Sequence, residues 1–65
     1  MDRIEIGKKL RMLRGSKSAK DVAHAINISP SALAMYETGK RIPRDDIKSK
    51  LSDYYGESVN DLFYA

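Results

Sequence analysis

Residues 29–41, SPSALAMYETGKR, place hydroxyl and cationic side chains at the two ends of a short apolar run. Ser29 and Ser31 stand in front, and Lys40 and Arg41 follow directly behind. Upstream, Ser18-Ala19-Lys20 opens a second candidate helix with another hydroxyl and another cation. Hydroxyls, Lys and Arg side chains and the unpaired N–H groups of a helix start are the groups that hold phosphate oxygens. Between the two ends, the methyl groups of Ala34 and Met35 can pack on other methyls, such as that of thymine. Such a contact discriminates only weakly. The chemistry on offer is polyanion binding with apolar reading.

Other chemistries find little support. Ser, His and Asp are all present, but no spacing poises a nucleophile beside a base, and there is no glycine-rich phosphate loop or paired-carboxylate cleft. With one His and no Cys, neither a metal site nor a thiol reaction is expected, and no cofactor is implied. His24 reads as an exposed helix residue. Catalysis is therefore not expected.

Charge distribution supports the first reading. Residues 1–50 carry all 12 Lys and Arg against six acids, a net of +6, while residues 51–65 carry three acids and no base. A basic body and an acidic, aromatic tail suggest one face for a polyanion and another use for the tail. The chain has 65 residues, near the lower limit for a core without staples, so a single domain over residues 1–65 is expected. The longest apolar runs are far too short for a membrane span, and MDRIEIGKKL lacks the apolar stretch of a secretory signal. A cytoplasmic location follows as the expectation.

The elements that must position these groups are short helices. Ile6, Leu10 and Leu13 recur at i, i+4 and i+7, a stripe that stops near Gly15. Ser18-Ala-Lys-Asp21 has the form of a capping box before a helix with Val22, Ala23 and Ile26 inward. Asn27 suits a left-handed residue at its end. Ser29 is a candidate N-cap, Pro30 suits the first helical position, and Leu33 and Tyr36 point the same way. Gly39 ends this third helix, which leaves Ala34 and Met35 outward. Asp45 and Asp46 favour the start of a fourth helix, striped by Ile47, Leu51 and Tyr54 or Tyr55 and closed by Gly56. Ser58-Val-Asn-Asp61 introduces a last turn with Leu62 and Phe63. No stretch alternates as a strand does. The expectation is an all-α fold of five helices.

Within residues 19–38, AKDVAHAINISPSALAMYET, the apolar positions Val22, Ile26, Ile28, Leu33 and Tyr36, the small Ala23 and the turn residue Asn27 have the spacing of a helix-turn-helix. The chain resembles the Cro and phage-repressor helix-turn-helix family, also called the XRE family, over nearly its whole length. IGKKLRMLR resembles that family's first helix, DVAHAINIS its second helix and turn, SALAMYETGKRIP its third helix and loop, and GESVNDLF its closing fifth helix. GKRIP and DLF are the most family-specific pieces. The resemblance implies a compact five-helix, lambda-repressor-like DNA-binding domain with its helix-turn-helix over about residues 18–38, the third helix lying in the major groove. It places Pro30, Ser31, Ala34 and Met35 before the bases. Ser18, Ala19 and Lys20 would face phosphate through their N–H groups, with Lys40 and Arg41 holding the backbone further along; Ser29, as cap, can add a phosphate contact. Arg14 and Glu37 match a pair that often joins helix one to helix three, and can serve structure or DNA equally.

The departures are specific. Where the family commonly has Gln at the start of helix two this chain has Ala19, which removes one side-chain contact. The connector from Arg14 to Ala19 is shorter than usual. The reading positions lack Gln, Asn and Arg, which bind base edges bidentately. The function implied is a sequence-specific double-stranded DNA-binding transcriptional regulator, a Cro-like repressor occupying an operator, encoded by a bacterium, phage or mobile element. It would form a weak homodimer through the C-terminal aromatic segment and have no small-molecule ligand. The alternative is a protein-interaction module on the same fold, such as an antitoxin or an antirepressor partner.

Overall fold

The computed structural model describes residues 2–65, which form α1 (Arg3–Arg14), α2 (Ala19–Ala25), α3 (Pro30–Glu37), α4 (Asp45–Tyr55) and a last short turn, α5 (Asn60–Tyr64), wound as a π-helix. No strand occurs among the described residues, and none of their helices is long and apolar enough to cross a membrane. The fold is all-α with five helices.

Local chemistry sets the boundaries. Asp2 caps α1 by accepting from the Ile4 N–H, Ser18 caps α2 by accepting from Asp21 N–H at 3.0 Å, and Ser29 caps α3 by accepting from Ala32 N–H at 3.0 Å. Pro30 occupies the first turn of α3, where no N–H bond is lost. Ser58 accepts from Asp61 N–H at 2.9 Å before α5. Only the serine half of each expected capping box forms: neither Asp21 nor Asp61 returns a side-chain bond among the described residues.

Three helices close by the same device. At Asn27 (φ 60°) the N–H of Ile28 reaches back to Ala23 O at 2.9 Å and that of Asn27 to His24 O at 3.1 Å. Gly39 (φ 76°) repeats this pairing with Lys40 N–H on Met35 O and its own N–H on Tyr36 O, and Gly56 repeats it at the end of α4. These are Schellman closures, which need a left-handed residue just past the helix and so call for Gly or Asn. Asn27 thereby makes the sharp turn between α2 and α3.

The core joins all five helices: Ile6 and Leu10 of α1, Val22 and Ala23 of α2 with Ile26 just past its end, Leu33 and Tyr36 of α3, Ile47 and Leu51 of α4, and Leu62 and Phe63 of α5. Leu13 departs from expectation. It continues the stripe of Ile6 and Leu10 but is 36% exposed, because it lies in the last turn of α1, at the edge of the packed region. Backbone-to-backbone approach fixes how α1 crosses α3. A Cβ at Gly7 would collide with the carbonyl oxygen of Glu37 and lie 2.9 Å from that of Tyr36. One helix crosses the end of the next where only a hydrogen atom fits.

Lys48 is the unexpected member of the interior, only 6% exposed. Its ammonium donates to the Tyr64 hydroxyl at 2.7 Å and sits over the rings of Tyr64 (4.8 Å) and Phe63 (5.8 Å), with Asp45 at 3.7 Å. A charge can be withdrawn from water only with such partners. Lys48 thus clasps the C-terminal turn onto α4.

Candidate nucleic-acid interface

α3 shows two faces. Leu33 and Tyr36 are buried, while Pro30, Ser31, Ala34 and Met35 are exposed together on the outer side, Met35 by 39%. The helix can do this because its inward residues are three apart, which leaves the intervening positions to solvent. Its outward surface is mostly methyl and methylene, with the Ser31 hydroxyl as the polar exception.

Ser18, Ala19 and Lys20 lie at the start of α2. The Ser18 hydroxyl is engaged with Asp21 N–H, but the N–H groups of Ala19 and Lys20 come too early in the helix for a backbone partner. Lys20 is exposed and lines an open cleft of about 380 Å³ together with Asp21, His24, Ile28 and Pro30. Ser29 is exposed but spends its hydroxyl as the cap of α3.

Lys40 and Arg41, both exposed, lie in the loop after α3. Their backbone is not free. The N–H groups of Lys40 and Arg41 both donate to Met35 O, at 2.9 and 3.3 Å, and the Thr38 hydroxyl donates to Ala34 O at 2.8 Å. The loop is therefore tied to the same residue whose side chain faces outward, and any anion it holds must be held by the side chains. Sequence reasoning assigned no role to Thr38; its position four residues after Ala34, where a hydroxyl can reach back, was the available signal.

Arg14 and Glu37 meet as a bidentate pair, Nε to Oε2 at 2.8 Å and a terminal nitrogen to Oε1 at 3.1 Å, with Arg14 also donating to Lys17 O at 2.8 Å. Both side chains are largely buried. The hydrogen bond to Glu37 is the main cause that holds the Arg14 pKa above its ordinary value. The pair fastens the end of α1 to the end of α3. Nearby, burial first and the Glu37 charge second raise the Tyr55 phenol above its usual pKa, and its buried hydroxyl has no hydrogen-bond partner among the described residues.

The residues expected from sequence thus fall into three neighbourhoods. The outer face of α3 brings together Pro30, Ser31, Ala34 and Met35; α2 presents Ser18, Ala19 and Lys20 at its start; the loop beyond α3 presents Lys40 and Arg41. Arg14 and Glu37 sit behind them as a brace. Among the described residues, no three His, Asp or Glu side chains converge as a metal site requires.

Comparison with known proteins agrees with this architecture. The family described as Helix-turn-helix matches residues 8–62. An endothelial differentiation-related factor 1 homolog from Gallus gallus is 36% identical over 55 residues, which cover 82% of this chain and 37% of that relative. The chain thus spans well under half the length of the curated relative it matches. No solved structure matches significantly. With α2 and α3 joined through the left-handed Asn27 and the family pattern running from α1 to α5, the chain belongs to the helix-turn-helix family of Cro and phage-repressor (XRE) type, a family of DNA-binding proteins.

Proposed function

We propose that the chain is a sequence-specific transcriptional regulator of the Cro-like repressor kind, occupying a duplex operator with α3 in the major groove. The observation that carries this is the grouping of an exposed apolar face (Pro30, Ser31, Ala34, Met35) with the α2 start on one side and Lys40 and Arg41 on the other. Phosphate contacts by Ser18, Ala19, Lys20, Ser29, Lys40 and Arg41 set the register and supply most affinity. Ala34 and Met35 read thymine methyls, and DNA shape supplies the rest. No catalytic step, cofactor or small-molecule ligand belongs to this reading, and its setting is the cytoplasm. A weak homodimer, through the exposed part of Tyr64 and the C-terminal turn, would pair two half-sites.

The test is duplex binding over a range of salt. Removal of Lys40 and Arg41 together to Ala should lower the slope of log affinity against log salt by about 1.8, at roughly 0.9 per phosphate. Unchanged affinity and slope in the double variant would sink the reading. Sequencing duplexes selected from a random pool then shows whether a motif exists and whether it is palindromic, as a dimer requires.

A second reading is favoured by one observation, the scarcity of hydrogen-bonding side chains on α3: a protein-interaction module, such as an antitoxin or antirepressor partner. It predicts salt-insensitive binding to a protein and no selected DNA motif.

A further inference from the structure

The stripe of α1 that faces α3 does not end where α3 ends. Gly7 abuts the carbonyls of Tyr36 and Glu37, and Arg14, seven residues on, binds the Glu37 side chain. One turn before Gly7 on the same stripe is Arg3. The backbone there lies against the loop after α3: a Cβ at Gly39 would be 3.3 Å from the Arg3 carbonyl carbon and 3.2 Å from the Ile4 Cα. Arg3 is therefore held beside Gly39, next to Lys40 and Arg41, and helical side chains lean toward the helix start, which carries it past α1 and not back along it.

Among the described residues, nothing uses this cation. Arg3 is exposed and, among the described residues, makes no ion pair. The acids beside it are engaged elsewhere, Asp2 in capping Ile4 N–H and Glu5 with Lys8 at 3.5 Å. A cation in the first turn of a helix also faces the positive end of the macrodipole, so helix stability gives no reason for it.

We infer that Arg3 is a further cation of the phosphate grip, binding a DNA backbone phosphate next to those held by Lys40 and Arg41. This rests on the proposed DNA-binding function and adds α1 to the elements that touch the duplex. Since the contact is to phosphate, it strengthens binding to all sequences alike.

The test uses the full chain and a short duplex of mixed sequence. Arg3→Ala should lower the slope of log affinity against log salt by about 0.9, so that its deficit shrinks about 3.5-fold from 50 to 200 mM salt. Arg3→Lys should retain the slope. Lys50→Ala, which removes the same charge from α4 beside Asn27 and Tyr54, serves as the control and should leave it unchanged. If Arg3→Ala behaves like Lys50→Ala while the Lys40 and Arg41 double variant loses affinity, the inference fails and the proposed function stands. If the double variant also loses nothing, both fail. Equal melting temperatures establish that the variants are folded.

Discussion

Met35 is the side chain on which the reading face depends most. It is the largest outward group on α3, and its neighbours there are Ala34, Ser31 and Pro30. Met35→Ala should change the preferred base at one or two positions in a pool selection while total affinity moves little, because phosphates supply most of the binding. An unchanged preference would show that this face does not read bases. Tyr55 makes a different case. Its buried hydroxyl has no partner among the described residues, so Tyr55→Phe removes an uncompensated polar group and should leave stability unchanged or raise it by about 1 kcal/mol in denaturant melts. The sign with pH follows from its raised pKa: below about pH 10 the phenol is neutral in both states and there is no effect. Above that, the unfolded chain ionises while the fold holds the proton, so stability falls as pH rises. The stability difference between Tyr55→Phe and the parent should therefore widen on the alkaline side.

At the scale of elements, the crossing of α1 and α3 is the most constrained contact, and Gly7 is its test. Ala at this position meets backbone carbonyls that cannot turn aside as a side chain could. The better helix propensity of Ala recovers about 1 kcal/mol, against an overpacking cost of about 1–3 kcal/mol or more. Gly7→Ala should thus lower the melting temperature by several degrees, and the displaced α1 should weaken the Arg14–Glu37 pair; a melting temperature at or above the parent's would contradict the close crossing. Much of the element layout was legible in the sequence, because its signals are local. Ser18, Ser29, Asn27, Gly39 and Gly56 act within one turn of where they stand. What was not legible depends on distant packing: the exposure of Leu13, set by where α1 runs out of partners, and the reach of Lys48 to Tyr64 across 16 residues. The Arg14–Glu37 match came from family resemblance, since nothing local joins residues 23 apart.

For the whole molecule, the same contrast holds for the candidate site. Its outward residues could be picked out because Leu33 and Tyr36 identify the inward face, but the tie between the Lys40–Arg41 loop and Met35 O could not, since it depends on loop conformation. Nor could the place of Arg3, which follows from an approach of α1 to Gly39 that only the assembled fold reveals. Of the basic side chains, Arg14 and Lys48 are drawn inward by Glu37 and by the C-terminal aromatics, so the cations left for a polyanion are fewer than composition suggests.

The apolar outer face of α3 carries one more consequence, in calorimetric terms. On the proposed reading, discrimination by Ala34 and Met35 comes from removing methyl surface from water, and such burial carries a negative heat-capacity change. Salt acts on the phosphate grip and scales binding to right and wrong sequences alike, whereas temperature acts on methyl burial, whose enthalpy is near zero at about 25 °C and turns negative on warming. The ratio of operator to non-operator binding should then hold steady as ionic strength rises, while its logarithm should curve with temperature and level off at about 25 °C, a curvature that Met35→Ala should blunt.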